Sequence, residues 1–359
     1  MGDDFGMSGG SEPLQYLVPM PARAGETVEV SPGIYCIRTS LPFRLSAVNL
    51  WLLRDDDGWT MVDCGFPLPQ VREQIEAAWI RTLGGAPVTR LIITHHHPDH
   101  SGNCRWICER WGITPSMSAG EYASAQELMG RNWSEQASSR IKFWRSHGLS
   151  SDAASEVWLH WGRHRQHFRS LPDRWQTLSD GDALRIGGTE WQLIVVHGHS
   201  PEQAVLHSPE KNVLISGDQV LPKITPNVSV FAEHPYTEPL DLFLSSNRRI
   251  ADICGEVLVL PSHNVPFKGL HSRIREIEIH HQERLAKIVA ELRKGPKSAA
   301  TFLPILFEGQ LNGHEIGFAI GEVIAHLRHL VACGQARSLD HNGLVLFKLE
   351  QFLRSYIRT

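Results

Sequence analysis

The chain has 359 residues, 42% hydrophobic and 21% charged, with 35 Lys and Arg against 39 Asp and Glu for a formal charge of -4. That length suits one large domain with a smaller one attached. The charge balance excludes a global field that would hold the chain on nucleic acid or an anionic membrane. No stretch approaches the roughly 20 apolar residues of a bilayer span, so a cytoplasmic location is expected, with neither nucleic acid nor membrane as partner.

Residues 1–15, opening MGDDFGMSGGSEP, are acidic and rich in Gly and Ser. They lack the basic and apolar regions of an export signal and read as a disordered lead-in. TVEVSPGIYCIRT reads as two short strands broken at Ser31-Pro32-Gly33, and AVNLWLLRDDDGWTMVDCGF as a hairpin turning at Asp57-Gly58. LPQVREQIEAAWIRTLGG is a helix stopped by Gly84-Gly85, VTRLIIT a buried strand, and SGNCRWICERWG a helix ending at Gly112. From about Ala119 to Arg174 the pattern is helical, bulky and cationic, with several of the eleven tryptophans. Strands return in ALRIGGTEWQLIVVHGHS and in AVLHSPEKNVLISGD, a hairpin around Pro209-Glu210-Lys211. PLDLFLSSNRRIADI is an amphipathic helix, EVLVLPSHNVPF a strand entering a loop, and SRIREIEIHHQERLAKIVAELRK a long helix whose His280-His281 make a polar face. After Gly295-Pro296 the pattern becomes helix, helix and a hairpin turning at Asn342-Gly343, which suggests a small winged-helix-like domain over 295–359. The six cysteines are scattered; Cys104 and Cys108 stand four apart without a second pair to complete a zinc site, so free buried thiols in a reducing compartment are expected.

The densest chemistry is LIITHHHPDHSGN, Leu91 to Asn103. In an extended segment alternate residues share a side, so His95 and His97 can reach one ion together. Asp99 and His100 follow where the chain turns into a helix and can face a second ion, with Pro98 stiffening the turn. Three other apolar strands end in a possible ligand: His199 after LIVV, Asp218 after VLISG, and His263 after VLVLPS. Ligands projecting from one rim of a rigid sheet make a preorganised site. Singly, Asp218 reads as a turn former and His263 as a loop residue; His96, His197 and His207 have no assigned role.

His95-x-His97-x-Asp99-His100, then Gly198-His199-Ser200-Pro201, Gly217-Asp218 and His263, preceded by Asp63 in TMVDCGF, resembles the metallo-β-lactamase-fold hydrolases, in order from about Val28 to Lys287. The resemblance implies an α/β fold, an αββα sandwich over residues 16–294 with a helical insert at about 119–174. It implies two divalent metals, zinc first and manganese or iron as alternatives: His95, His97 and His199 on one, Asp99, His100 and His263 on the other, Asp218 between them. Asp63 would orient a ligand or the attacking water. A metal-bridging hydroxide would be the nucleophile and Asp99 its proton shuttle, so no Ser or Cys nucleophile is needed.

GHSPEQ, SGDQVLPKITPNVSV and GFAIGEVIAHLRHL are similar to a bacterial group of metallo-hydrolases with a winged-helix-like C-terminal appendage. A small acyl substrate is expected: a thioester, lactone or related ester or amide. The alternatives are a phosphodiesterase or nuclease of the same fold and a non-catalytic metal-binding scaffold. Asn227 and Tyr236, in TPNVSVFAEHPYTEP, are candidates to polarise a carbonyl, and the insert to cover the cleft. GHEIGFAIGEVIAHLRHLVACG carries Glu315 and Glu322 against Arg328 and is mostly apolar, unlike a groove-reading helix. It is expected to pack on the catalytic domain or on a second subunit of a homodimer.

Overall fold

Tyr35-Cys36 and the run Leu50-Trp51-Leu52-Leu53 send successive apolar side chains to opposite sides of a strand, and both sides are buried here. Leu50 and Leu52 join a core beneath outer helices, while Cys36, Trp51 and Leu53 join a core between two sheets. The computed structural model describes residues 14–16, 20–21, 23–130, 133–163 and 165–350. Most of the expected lead-in lies outside them.

In chain order the elements are β1 (Gln15–Tyr16), β2 (Thr27–Ser31), β3 (Ile34–Ser40), β4 (Ala47–Asp55), β5 (Gly58–Val62), α1 (Pro69–Thr82), β6 (Val88–Ile92), α2 (Pro98–Ser101), α3 (Cys104–Trp111) and β7 (Pro115–Ser118). The insert follows as α4 (Ala119–Gly130), α5 (Trp133–Ser146) and α6 (Ser151–Gly162). Next come β8 (Gln176–Leu178), β9 (Ala183–Ile186), β10 (Thr189–Val196), β11 (Gln203–Ser208), β12 (Val213–Gly217), α7 (Pro239–Cys254), β13 (Leu258–Pro261), β14 (Phe267–Lys268) and α8 (Leu270–Leu292). The chain closes with α9 (Leu303–Leu306), α10 (Gly313–Ala332) and the hairpin β15 (Ala336–His341) and β16 (Leu344–Leu349).

One sheet has the order β2-β3-β4-β5-β6-β7-β8, the other β1-β14-β13-β12-β11-β10-β9. Trp51, Val62 and Ile92 of the first meet Trp191, Leu193, Leu206 and Ile215 of the second. Helices α1 and α3 cover the outside of the first sheet through Val71, Ile75, Ile107 and Cys108. Helices α7, α8 and α10 cover the second through Phe243, Ile250, Ile277, Ile320 and Val323. The layers are therefore αββα, as expected. The Ala204 amide donates to the Thr94 carbonyl (2.9 Å) and the Asn49 amide to the Ser262 carbonyl (2.7 Å), which ties the sheets together at one rim. The chain leaves β5, β6, β10, β12 and β13 at that rim.

Three expectations change. The first hairpin turns at Asp56-Asp57, because Gly58 already pairs with Asp55 as a strand residue. A Cβ at Gly58 would lie 2.3 Å from the Pro87 carbonyl oxygen, so the strand needs its glycine for close approach to the next segment. His281 is not on a polar face: it is fully buried, against His326 of α10. In the C-terminal segment, Ile320, Val323, Ile324 and Leu327 join the same cluster as Phe143 and Val157 of the insert and Phe243 of α7. Five cysteines are buried and free, but Cys333 is exposed. The Asn342-Gly343 turn is as read, with φ of 54° and 82°. No helix among the described residues is long and apolar enough to cross a membrane.

Candidate metal centre

Two groups of side chains gather at the common rim. His95, His97, His199 and Asp218 form one and Asp99, His100 and His263 the other; within each group one ligand atom per residue lies within 4.8 Å of every other. The tight loop after β6 makes this possible. Its backbone places His95 and His97 on one side, with His95 Nε2 3.0 Å from His97 Nδ1. Pro98 then opens α2, which presents Asp99 and buries His100. At Gly198 (φ 107°) the chain passes so close to α7 that a Cβ would lie 2.4 Å from that of Phe243. This turn aims His199 back at the cluster.

Four of the five clustered imidazoles are held by a partner on the far side. The His100 Nδ1–H donates to Asp63 Oδ2 (2.8 Å), His199 Nδ1–H to the Asn227 carbonyl (2.8 Å), and His263 Nδ1–H to the Ala47 carbonyl (2.9 Å). Thr94 Oγ1 donates to the Asp63 carboxylate and receives from His95 Nδ1 (3.0 Å). With Nδ1 engaged on the far side, all four turn Nε2 inward, the orientation a metal ligand needs. His100 Nε2 is buried and makes no hydrogen bond.

Asp218 joins the groups. Its Oδ2 is 3.4 Å from His199 Nε2; its Oδ1 is 3.4 Å from His263 Nε2 and 3.6 Å from His100 Nε2. Asp99 Oδ2 lies 3.4 Å from His263 Nε2 and 3.7 Å from His100 Nε2. Ligand bonds of about 2.0–2.1 Å in a tetrahedral site put ligand atoms about 3.3 Å apart. The observed spacing of 3.0–3.7 Å between these neighbouring atoms is that of ligands around an ion, so the residues present fit the metals that the resemblance implies.

The electrostatics differ between the groups. Burial, and then the neighbouring imidazoles, hold His95 and His97 well below the usual histidine range. Burial works in the same direction on His100 and His263, but carboxylates overcome it. Asp99, Asp63 and Asp218 push His100 up to about 9, and Asp218 and Asp99 push His263 well above its usual range. The second group thus attracts positive charge to the place a cation would take.

The structure brings all seven expected ligands together and sets Asp63 behind them. It does not do so for the two expected carbonyl-polarising side chains. The Asn227 amide points to α10, donating to Glu322 Oε2 (3.2 Å), and only its backbone carbonyl serves the cluster. Tyr236 is 83% exposed and lies under the Arg328 guanidinium, 5.2 Å from its ring centre. The insert packs into the C-terminal helix, with Trp161 5.5 Å from Phe318 between ring centres.

Sequence reasoning missed Glu121, in the first turn of α4 and wholly buried. Its carboxylate accepts from the His96 amide (2.9 Å), from His96 Nδ1 (2.6 Å) and from the Glu202 amide (2.7 Å). It thereby ties the His95–His97 loop to the loop after His199. Ser262 Oγ, donating to Asp218 Oδ1, was also missed.

The model of the metallo-beta-lactamase superfamily matches residues 44–263, and that of the metallo-beta-lactamase-like C-terminal domain residues 285–350. A crystal structure of a beta-lactamase domain protein from Burkholderia ambifaria superposes with a TM-score of 0.87 at 38% identity, covering 94% of this chain and 98% of that one. A probable metallo-hydrolase of Bacillus subtilis is 22% identical over 88% of this chain and 97% of its own length. A Gallus gallus protein named acyl-coenzyme A thioesterase MBLAC2 is 25% identical over 64% of this chain and 77% of its own. The fold, the matched model and these relatives agree: the chain belongs to the metallo-beta-lactamase superfamily, and it is a metallo-hydrolase.

Proposed function

We propose that this metallo-hydrolase uses a dinuclear centre to cleave acyl substrates, thioesters and lactones first among them. The observation that carries the reading is the division of Asp218 between the two groups, one oxygen facing each. His95, His97 and His199 would hold one divalent ion and Asp99, His100 and His263 the other, with Asp218 shared. Zinc suits this nitrogen and oxygen set, and manganese or iron would be accepted by the same ligands. When bound, such a pair supplies Lewis acidity toward a carbonyl and makes water at the site more acidic.

The protein's own part is positional and protolytic. Asp63, Thr94 and the carbonyls of Asn227 and Ala47 keep the imidazoles of His95, His100, His199 and His263 in one orientation. Asp99 has a side chain 20% exposed, against 10% for Asp218 and none for His100. It is the carboxylate in reach of a substrate, suited to take the proton lost by water and return it to the leaving group. Support for an acyl chain comes from the thioesterase relative and from a row of half-buried rings. That row runs from Phe43 to His314 (4.6 Å), Phe318 (5.0 Å) and Trp161 (5.5 Å). It starts in the loop that leads to Ala47, the partner of His263.

The test compares zinc-reloaded protein, metal-stripped protein and Asp218→Ala on a chromogenic acyl thioester, a lactone and a bis-aryl phosphate. Hydrolysis of the thioester or lactone by the reloaded protein alone is expected. Preferential cleavage of the phosphate would replace the acyl reading with phosphodiester hydrolysis.

A further inference from the structure

We infer that Glu322, on the C-terminal helix α10, is a positioning residue for the metal centre, acting through Asn227 on the ligand His199. The inference rests on the metal-centre reading above. His199 owes its tautomer and ring orientation to the Asn227 carbonyl, and that carbonyl lies in the irregular segment between β12 and α7. A carbonyl in irregular backbone stays in place only if other contacts hold it.

Those contacts come from α10. Asn227 Nδ2 donates to Glu322 Oε2 (3.2 Å), Ser229 Oγ donates to Asn227 Oδ1 (2.5 Å), and the Val230 amide donates to the Gly321 carbonyl (3.1 Å). The approach is close enough to require glycine, since a Cβ at Gly321 would lie 2.8 Å from Ser229 Oγ and 3.1 Å from the Val230 carbonyl oxygen. Gly317, one turn earlier, lets the same helix close on the insert: its Cβ would lie 2.8 Å from both Trp161 Nε1 and Val157 Cγ1. The sequence GHEIGFAIG thus brings one helix against both the insert and the ligand-supporting segment.

Glu322 is 8% exposed and is faced by Arg284 Nη1 of α8 at 3.2 Å. A buried ion pair seldom adds net stability over an apolar replacement. What this carboxylate does accomplish is to fix the Asn227 amide, and with it the carbonyl behind His199. The C-terminal segment is on this account a working part of the metal centre.

Wild type, Glu322→Ala and Glu322→Gln are to be titrated with zinc against a chromophoric chelator, and with cobalt(II) to read the ligand-field absorption. Loss of a group that orients a ligand weakens metal binding about 10- to 100-fold. Wild type is expected to bind two ions. Glu322→Ala should bind one of them about 10-fold more weakly, with a shifted cobalt spectrum, at the low end because the effect passes through Asn227. Glu322→Gln still offers an oxygen to Asn227 Nδ2 and should restore the affinity. Glu322→Ala with wild-type affinity for both ions and an unshifted spectrum overturns the inference, whatever its unfolding midpoint. If that variant does not fold, Asn227→Asp, which sets a second carboxylate against Glu322, is read in the same titration and by the same criterion. A wild type that takes up no metal overturns the metal-centre reading itself and the inference with it, a result distinct from an unaffected variant.

Discussion

Asp63→Asn separates charge and tautomer from shape. Asp63 is 1% exposed, and its φ of 63° is a backbone region that Asn tolerates as well as Asp. The wild-type carboxylate accepts from the Thr94 amide (2.8 Å), Thr94 Oγ1 (2.9 Å) and His100 Nδ1 (2.8 Å). A carboxamide has one acceptor oxygen. If it keeps the buried Thr94 amide, its NH2 faces the His100 Nδ1–H, donor against donor. His100 must then move its proton to Nε2, the atom that faces Asp218 and Asp99. Losing such a partner weakens metal binding about 10- to 100-fold, or about 1.4 to 2.8 kcal/mol. On the proposed two-ion reading, the loss should fall first on the ion assigned to Asp99, His100 and His263, and less on the other, which Asp63 reaches only through Thr94 and His95. Chelator competition resolves the two sites, and urea unfolding of the stripped protein reports folding separately. A charge-assisted hydrogen bond is worth about 1.5–3 kcal/mol, so a lower midpoint is also expected. If Asp63→Asn holds both ions as tightly as wild type, the assignment of Asp63 as the partner that sets the His100 tautomer is wrong.

Gly198→Ala should keep the overall fold but lose activity and the ion at His199, because the new Cβ meets the Phe243 backbone nitrogen at 2.5 Å and the φ is left-handed. Crowding and backbone strain of this kind cost about 1–3 kcal/mol each, and a variant with unchanged metal stoichiometry would contradict the packing argument. Acid should weaken the fold at the α8–α10 contact. His326 donates Nδ1–H to the Glu322 carbonyl and receives from His281 Nδ1, and His281 Nε2 is buried without a hydrogen bond. Burial holds His326 at about 4 and His281 at about 2, whereas an unfolded histidine titrates near 6.5. The unfolded chain therefore binds more protons below pH 6.5, and stability that is complete above that pH falls as the pH drops toward 4. Urea midpoints measured from pH 7 to 4.5 should show this slope, and a His281→Leu/His326→Leu variant should flatten it; equal slopes would refute the assignment. Metal-stripped protein should melt below the reloaded form, since zinc at 100 times its dissociation constant adds about 2.7 kcal/mol. Coincident melting curves would show that the ion is not bound to the folded state.

The near-continuous apolar run AVNLWLL, whose side chains are buried on both faces of the sheet, and the amphipathic pattern of α7 made the layers legible. The seven ligand positions were legible because the reactive types sit at strand ends in a fixed order. What lies behind the ligands was not. Two of the partners that set the tautomers are backbone carbonyls, at Ala47 and Asn227, and any residue type supplies a carbonyl. Glu121 sits in a helix that read as bulky and cationic, and only the tertiary path brings it to His96. His280-His281 read as a polar face because the long helix is amphipathic; burial of His281 depends on α10, which packs on it from 45 residues later in the chain.

The sequence changes character near residue 295, while side-chain packing continues across that point. Gly295 does break the chain after α8, with φ 130°, yet α10 beyond it shares one core with α6, α7 and α8. The family model for the C-terminal domain begins at residue 285, inside α8, so the long helix serves both halves. This sharing bears on the chemistry because the segment that supports His199 is short of regular structure and borrows its rigidity from α10. On α10, Glu322 and His326 are buried and Gly313, Gly317 and Gly321 are pressed against neighbours. These residues let the helix hold the loop beside the candidate metal site.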